Sequence, residues 1–299
     1  MGKIAFVFSG QGDQYPGMGK NLYENYPTAK RIFDLCEELR PQTLDQCFQG
    51  TNEELKETKN TQPCLFAMEL AAAYVMMEKG VIPEAVAGFS LGEVTAAAVS
   101  GLFDERTGFE LVCRRGELMQ IESEKNETFM AAVLKLSSEQ LEDLCKNYEN
   151  IYPVNFNCPG QISVAGLASE MTGFFADVKA MGGRALPLKV KGAFHSPFMK
   201  DASDAFADVL ACAALKQQHI PLYSNVTGKV YDGDAVSLLS KQICHPVQWE
   251  GTIRNMIKDG VDQFVEIGPG KTLTNMIKKI DQEIRAVSFE DMLLEVEKC

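Results

Sequence analysis

Histidine, tryptophan and paired cysteines are scarce in this chain of 299 residues. Tryptophan occurs once and histidine three times, as His195, His219 and His245. A histidine-based metal centre is therefore not expected, and any imidazole base must be one of these three. The nine cysteines include no C-x-x-C pair, which is typical of reduced thiols rather than of a zinc site or a disulfide framework.

Long hydrophobic runs and an excess of positive charge are also missing. The most apolar stretch, Leu65–Met77, has 13 residues and is broken by Glu69, whereas a membrane span needs about 20. The run Ile4–Phe8 is too short for the core of a signal peptide. Asp and Glu number 41 against 29 Lys and Arg, a balance that does not favour nucleic acid. We therefore expect a cytoplasmic protein with no membrane or nucleic-acid partner.

Alternating strand-like and helix-like segments predict an α/β fold. Such alternation is typical of a mostly parallel sheet with helices on both faces. Hydrophobic residues make up 45% of the chain, enough for a sizeable core. The predicted strands of this body are Lys3–Ser9, Ala85–Phe89, His219–Tyr223 and Gln263–Ile267, and its predicted helices are Leu65–Lys79, Leu91–Val99, Phe109–Gln120 and Lys271–Lys279.

The middle of the chain has a different pattern, which predicts the order βαββαβ of a ferredoxin-like unit. Its predicted elements are Phe129–Leu136, Ser137–Asn147, Ile151–Phe156, Gln161–Val164, Glu170–Met181 and Ala185–Val190. A capping-box signal at Ser137 and Gln140 supports the first helix. We therefore predict a body made of residues 1–123 and 192–299, interrupted by a small α+β subdomain at residues 124–191.

One segment matches the pattern G-x-S-x-G and is a candidate nucleophile site. Gly88-Phe89-Ser90-Leu91-Gly92 lies between a predicted strand and a predicted helix. In that context the glycines permit a sharp turn, and the serine hydroxyl stands at the N-terminus of the helix, where free N–H groups can stabilise an anion. The alternative is a turn whose serine only caps the helix.

Other polar residues leave alternatives open. His195 follows the predicted subdomain, where a cleft is expected, so its position favours it as the base. His219 and His245 stay alternatives, although either could be a structural imidazole. Gly10-Gln11-Gly12 ends the first strand and could supply an oxyanion N–H or be an ordinary turn. Arg114 and Arg115 lie on an otherwise apolar helix, and a guanidinium there could bind a carboxylate or extend to solvent.

Two further patterns receive no functional assignment. Gly268-Pro269-Gly270-Lys271-Thr272 imitates the end of a phosphate-binding loop, but Val265 stands where the first glycine of that motif is required. Asn126-Glu127-Thr128 and Asn225-Val226-Thr227 are formally glycosylation sequons, which have no meaning in a cytosolic chain.

Taken together, these segments resemble the malonyl-CoA:acyl-carrier-protein transacylase family of fatty-acid and polyketide synthesis. The resemblance extends nearly from end to end. It rests on Phe6–Gln14, Asn60–Pro63, Ala87–Glu93, Arg115–Gln120, Pro153–Gln161, Ala193–Pro197, Pro246–Trp249 and Glu266–Lys271. It implies an α/β-hydrolase-like body with an inserted ferredoxin-like subdomain, as the element order also predicts.

The resemblance also implies roles for individual residues. Ser90 would be the acylated nucleophile and His195 its base, which Gln248 would orient through its amide or the neighbouring backbone. Gln11 and Leu91 would supply the oxyanion-hole N–H groups. The remaining predicted substrate-binding residues are Arg115, for the malonyl carboxylate, with Gln62, Asn155, Asn157 and Phe194.

Three positions deserve comparison with the family pattern. Phe89 stands where the family usually has histidine, and Ser9 replaces the proline common before the Gly-Gln-Gly turn. Phe194, before the histidine, resembles malonyl-selecting rather than methylmalonyl-selecting members, since its ring would crowd an α-methyl group.

The expected activity is malonyl transfer from malonyl-CoA to the phosphopantetheine thiol of acyl carrier protein through an acyl-serine. No bound cofactor is implied, and we expect a monomer. Basic residues that could contact an acidic carrier protein are Arg184, Lys189, Lys191, Lys271, Lys278 and Lys279. The alternatives are an editing hydrolase, a non-catalytic carrier-binding module and a general esterase. The presence of Arg115 with Ser90 and His195 argues against the first two, and Gln248 in place of a triad Asp argues against the third.

Overall fold

Two sheets organise the protein. The structure, a computed structural model, describes residues 2–188 and 190–298. In chain order its strands are β1 Lys3–Phe8, β2 Ala85–Gly88, β3 Thr128–Leu134, β4 Ile151–Cys158, β5 Gln161–Leu167, β6 Arg184–Pro187, β7 Leu222–Tyr223, β8 Val261–Ile267 and β9 Arg285–Ser288. Five of them form a parallel sheet in the order β7-β2-β1-β8-β9, and the other four form an antiparallel sheet in the order β4-β5-β3-β6.

Helices surround both sheets. In chain order they are α1 Lys20–Asn25, α2 Pro27–Leu39, α3 Thr43–Gln49, α4 Thr58–Glu78, α5 Leu91–Val99, α6 Glu105–Ser123, α7 Ser138–Cys145, α8 Ala168–Ala180, α9 Lys200–Ala211, α10 Ala235–Lys241, α11 Trp249–Lys258, α12 Thr272–Ile280 and α13 Phe289–Val296. Within the described ranges, no helix is long and apolar enough to span a membrane.

The central strand β1 shows why the parallel sheet is buried on both faces. Successive side chains of a strand point to opposite faces. Phe6 and Phe8 accordingly belong to one apolar core, which also contains residues of α4, α5 and α6. Ala5 and Val7 belong to a second core, which contains residues of α11 and α12. The predicted α/β architecture with helices on both faces of a parallel sheet is therefore confirmed.

The chain segment that forms the antiparallel sheet has its elements in the predicted order, β3-α7-β4-β5-α8-β6. The predicted capping box is present, because Ser137 and Gln140 each bond the backbone of the other. The edge strand β4 is tied to the body through Val247, whose N–H donates to Val154 O and whose carbonyl accepts from Phe156 N, each at 2.9 Å. These bonds fix the smaller sheet against the segment that precedes α11.

Several element bounds differ from the sequence prediction by a few residues, among them those of α4, β7 and β6. Helix α4 begins at Thr58 and continues through Pro63. An interior proline removes a hydrogen bond and crowds the preceding turn, but sixteen of the 21 residues of this helix are buried, and their packing offsets that cost. The strand predicted from His219 is reduced to β7, since the His219 N–H donates to Ser100 O at 2.7 Å instead of to a neighbouring strand. The strand predicted at 185–190 ends at Pro187, and residue 189 lies outside the described residues.

Candidate active site

The candidate site lies at the carboxyl edge of the parallel sheet, where ligands bind in open α/β folds. Eight of the ten predicted site residues line one cavity there, together with apolar side chains. The predicted residues are Gln11, Gln62, Ser90, Leu91, Arg115, Asn155, Phe194 and His195, and the others are Phe89, Met119, Met130, Leu188 and Val190. The cavity measures about 80 Å³, a size that favours a short acyl group.

Ser90 occupies a strained turn between β2 and α5. Its φ of 54° and ψ of −106° lie in a region that L-residues seldom adopt. The turn is tight enough that a Cβ on Gly88 would come within 1.8 Å of the Gly92 carbonyl carbon. Asn225 braces it from the end of β7: its Oδ1 accepts from Ser90 N at 2.7 Å, and its Nδ2 donates to Gly88 O at 2.5 Å. The predicted nucleophile elbow is therefore present.

His195 is the histidine that reaches Ser90. Its Nε2 lies 2.8 Å from Ser90 Oγ, and its Nδ1 lies 2.6 Å from the backbone oxygen of Gln242. Since a carbonyl oxygen only accepts, Nδ1 carries the hydrogen and Nε2 is free to accept the Ser90 proton. Burial, and then the charge of Arg115, lower the pKa of His195 to about 4. The imidazole is therefore neutral at pH 7, the form that a general base requires.

The other two histidines bond elsewhere. His219 packs against Gly101 and bonds Ser100 through its backbone. The Nδ1 of His245 lies 2.9 Å from Lys241 O. Neither residue lines the cavity.

Gln248 does not have the predicted role, and Gln242 occupies that place. The Gln248 N–H donates to Asn225 O, and its carbonyl accepts from Thr252 within α11. Its backbone groups are therefore used at the start of a helix, whereas the carbonyl of Gln242 accepts from His195. The residue whose backbone oxygen orients His195 is therefore Gln242, six positions before the predicted Gln248.

Arg115 is held inside the site rather than in solvent. Its side chain is only 1% exposed. Nη1 donates to Gln62 Oε1 at 2.7 Å and Nη2 to Gln242 Oε1 at 2.6 Å, while Nη2 also lies 3.3 Å from Ser90 Oγ. Burial lowers the pKa of Arg115 to about 10, so the guanidinium stays charged at pH 7. A cation so close to Ser90 Oγ could pair with a carboxylate on a group bound there.

Two predicted oxyanion donors and two amide side chains border the same cavity. Leu91 is the first residue of α5, where backbone N–H groups have no partner within the helix. Gln11 and Gln62 both contact the Thr58 hydroxyl, Gln11 Oε1 as acceptor at 2.7 Å and Gln62 Nε2 as donor at 3.0 Å. This contact fixes the Gln11 side chain, and with it the turn after β1. Asn155 Oδ1 is buried with no hydrogen-bond partner among the described residues and could accept from a ligand.

Asn157 does not line the cavity as predicted. Its Nδ2 donates to Ser163 Oγ at 3.3 Å on the neighbouring strand. The pairing of β4 with β5 is irregular between Phe156 and Cys158, so strict alternation from Asn155 does not hold there. Phe194, by contrast, is buried and forms part of the cavity wall as predicted.

Phe89 packs beside Ser90 through apolar contacts. Its ring packs edge-on against Trp249, with 5.6 Å between the ring centroids, and contacts the Gly10 backbone position. The residue in place of the family's usual histidine thus provides packing behind Ser90.

The functional contacts that sequence reasoning missed come from Gln242 and Asn225. Gln242 lies shortly before Pro246–Trp249, one of the segments that resemble the family. Nothing in its local sequence, however, indicates a contact with His195. Asn225 stands in the sequon that received no assignment, although an amide after a strand of a parallel sheet would be expected at the carboxyl edge.

Comparison with known proteins agrees with this geometry. The model of the acyl transferase domain family matches residues 5–293. Malonyl CoA-acyl carrier protein transacylase of Bacillus subtilis is 37% identical, over 97% of this chain and 94% of its own length. A polyketide biosynthesis malonyl CoA-acyl carrier protein transacylase of the same organism, PksC, is 35% identical, over 95% of this chain and 99% of its own length.

Solved structures show the same fold. The transacylase of Clostridium perfringens superposes with a TM-score of 0.95 at 31% identity, covering 99% of this chain and 98% of that one. A malonyl-transacylase solved in complex with a type II polyketide acyl-carrier protein superposes with a TM-score of 0.94 at 33% identity, covering 99% and 100%. The chain therefore belongs to the acyl transferase family that contains the malonyl-CoA:acyl-carrier-protein transacylases.

Proposed function

We propose that the protein transfers a malonyl group from malonyl-CoA to the phosphopantetheine thiol of acyl carrier protein by a ping-pong mechanism. One observation carries this proposal: Ser90 Oγ lies 2.8 Å from a neutral His195 and 3.3 Å from the buried Arg115. A nucleophile, a base and a carboxylate-binding cation thus share one small cavity. The names of the relatives and the carrier-protein complex of one structural neighbour support the same activity.

In the first half-reaction, His195 Nε2 accepts the Ser90 proton while Ser90 Oγ attacks the thioester carbonyl. The bond to Gln242 O stabilises the imidazolium that forms. Backbone N–H groups of Leu91 and Gln11 would hold the oxyanion, each donor contributing roughly 10²–10³-fold in rate. CoA then leaves as the thiol, with the proton from His195. In the second half-reaction the carrier protein's thiol attacks the acyl-serine by the same steps in reverse.

Arg115 accounts for the choice of a malonyl group. Its guanidinium points into the cavity beside Ser90, so the free carboxylate of the acyl group can replace the serine contact. An acetyl group would leave the buried charge without that partner, which disfavours it. The Phe194 ring in the wall supports malonyl over methylmalonyl, because an α-methyl group would require space there.

A groove that could hold the phosphopantetheine arm, which CoA and the carrier protein have in common, adjoins the cavity. This groove of about 530 Å³ has Gln11, Leu188 and Val190 in common with the cavity. Its other lining residues include Gln14 and Asn52. Amide side chains beside apolar ones suit pantetheine, which carries two amides on an aliphatic chain. The proposed reaction itself uses only side chains and backbone groups of the protein.

The surface that receives the carrier protein and the oligomeric state stay predictions. Of the basic residues considered for docking, Lys271 pairs with Asp291 at 2.6 Å, and Lys279 donates to Gln161 at 3.3 Å. Lys189 lies outside the described residues. We also infer that the antiparallel unit is ferredoxin-like and that the body is hydrolase-like, from the strand order and the serine turn.

The test separates the two half-reactions. The protein is incubated with malonyl-CoA, freed of nucleotide, and then mixed with carrier protein bearing phosphopantetheine. We expect an isolable malonyl-enzyme that passes its acyl group to the carrier protein. Release of free malonate as the main product would instead establish a hydrolase. If acylation required the carrier protein to be present, the ping-pong mechanism would be wrong.

A further inference from the structure

Glu93 is a buried carboxylate close to the nucleophile that does not line the cavity. It follows Ser90 by three residues, in the first turn of α5. Three donors converge on it: the Tyr231 hydroxyl at 2.7 Å and the Asn225 N–H at 3.1 Å on Oε1, and the Gln242 amide nitrogen at 2.9 Å on Oε2. The mechanism described above makes no use of this residue.

The contact with Gln242 determines which end of that amide faces Arg115. Gln242 Nε2 donates to Glu93 Oε2 at 2.9 Å and to Ser90 O at 2.8 Å, and both of these oxygens can only accept while Glu93 is ionised. The amide oxygen is thereby directed to Arg115 Nη2, at 2.6 Å. In the reverse orientation the amide nitrogen would face a guanidinium, which has no acceptor, and both contacts would be lost.

We propose that Glu93 positions the active site through Gln242: its carboxylate oxygen holds the Gln242 amide so that the amide oxygen locks the Arg115 guanidinium toward the acyl carboxylate. Glu93 touches no reacting atom and is therefore a positioning residue. The inference rests on the proposed function, because it assigns Arg115 to the malonyl carboxylate.

Electrostatics supports this arrangement. The negative charge of Glu93 opposes the effect of burial on the pKa of Arg115. In return, the charge of Arg115 and the three donors oppose the desolvation that raises the pKa of Glu93 to about 7. Removal of the carboxylate thus takes from Gln242 one of the two acceptors that orient its amide, leaving only Ser90 O, and takes from Arg115 its buried counter-charge.

The structure also separates the two roles of Gln242. Its backbone oxygen bonds His195, whereas its side chain bonds Arg115 and Glu93. Loss of the Glu93 acceptor should therefore weaken the recognition of malonyl more than the action of the base. A residue needed only for folding would instead lower the rates with all acyl groups together.

The test measures kcat/KM for malonyl-CoA and for acetyl-CoA, after mass spectrometry has shown that wild-type protein accepts malonyl. Glu93→Met removes the acceptor at similar length and should lower the malonyl-to-acetyl preference about tenfold or more, with a smaller change in the acetyl value. Glu93→Gln should keep most of the preference, because its amide oxygen can still accept from Gln242. The Tyr231 hydroxyl can turn to accept from the new amide nitrogen, and the Asn225 N–H loses its acceptor in both variants alike, so that loss cancels between them. Tyr231→Phe is the matched control, and we expect an unchanged preference.

Two results would overturn the proposal: equal losses with both substrates in Glu93→Met, or a loss in Glu93→Gln as large as in Glu93→Met, which would assign the effect to charge alone. If Glu93→Met does not fold, Gln242→Met decides the matter, since it removes the amide but keeps the backbone oxygen for His195. An unchanged preference in Gln242→Met would exclude any action of Glu93 through that amide. Failure of wild-type protein to accept malonyl would instead refute the proposed function.

Discussion

Arg115→Ala is expected to separate malonyl transfer from acetyl transfer. The guanidinium is 1% exposed and lies 3.3 Å from Ser90 Oγ, so an acyl group on Ser90 comes next to it. Without it, the malonyl carboxylate enters a buried site unpaired, a loss of about 2–5 kcal/mol for a desolvated, hydrogen-bonded charge pair. Since about 1.4 kcal/mol corresponds to a factor of ten, the malonyl-to-acetyl preference should fall about 30-fold or more.

Acetyl transfer should be unchanged or faster in the same variant. After burial, the charge of Arg115 is the second cause that lowers the pKa of His195. Its removal makes the imidazole a stronger base, and it also removes a buried charge that acetyl cannot pair. The variant should therefore lose malonyl transfer without losing acetyl transfer.

The assay is the ratio of kcat/KM for malonyl-CoA and acetyl-CoA in wild type and variant. Arg114→Ala is the matched control, because Arg114 is the neighbouring arginine, is about half exposed and pairs with Glu117 at 2.9 Å. Its ratio should equal that of wild type. Equal losses on both substrates in Arg115→Ala would refute the carboxylate assignment and leave Arg115 with a structural role, through Gln62 and Gln242.

Two further predictions concern a base and a buried acid. His195→Ala should abolish most acyl transfer, whereas His219→Ala and His245→Ala should not, because only His195 reaches Ser90 Oγ; a crippling His219→Ala in the transfer assay would show the base assignment to be wrong. Glu69 is fully buried, and burial raises its pKa well above the ordinary value. Folded protein therefore retains a proton that the unfolded chain releases, and the stability that Glu69 contributes at low pH is lost as pH rises. In urea unfolding, the free energy of unfolding of Glu69→Gln minus that of wild type should rise with pH. Above the ordinary carboxyl pKa, the rise should be up to about 1.4 kcal/mol per pH unit. A difference independent of pH would mean that Glu69 is ionised in the folded state.

Local patterns were sufficient to predict the turn that carries Ser90 and the elements around it. Helix α5 was predicted at its observed bounds, Leu91–Val99, because the glycines of the turn mark its start. The capping residues of α7, Ser137 and Gln140, were also predicted from the sequence. In contrast, the start of α4 was placed too late, since Pro63 is a helix-breaking signal that the burial of the surrounding residues overrides.

Contacts between distant segments could not be predicted in the same way. Asn225 reaches Ser90 across 135 positions of the chain, and Gln242 reaches His195 across 47. Whether Gln242 or Gln248 faces His195 depends on the path of the chain between α10 and α11. The resemblance to the family indicated that a glutamine near Pro246–Trp249 orients His195, but it led to Gln248. Only the structure shows that the partner is Gln242.

The most direct test of the account is to locate the malonyl group after reaction with malonyl-CoA alone. Intact-mass and peptide mass spectrometry should find one malonyl group per chain, on the peptide that contains Ser90, and none in Ser90→Ala. The reason is that Ser90 Oγ is the hydroxyl that His195 Nε2 faces, at 2.8 Å. An adduct of unchanged stoichiometry in Ser90→Ala, or one on another residue of the wild type, would contradict the central claim.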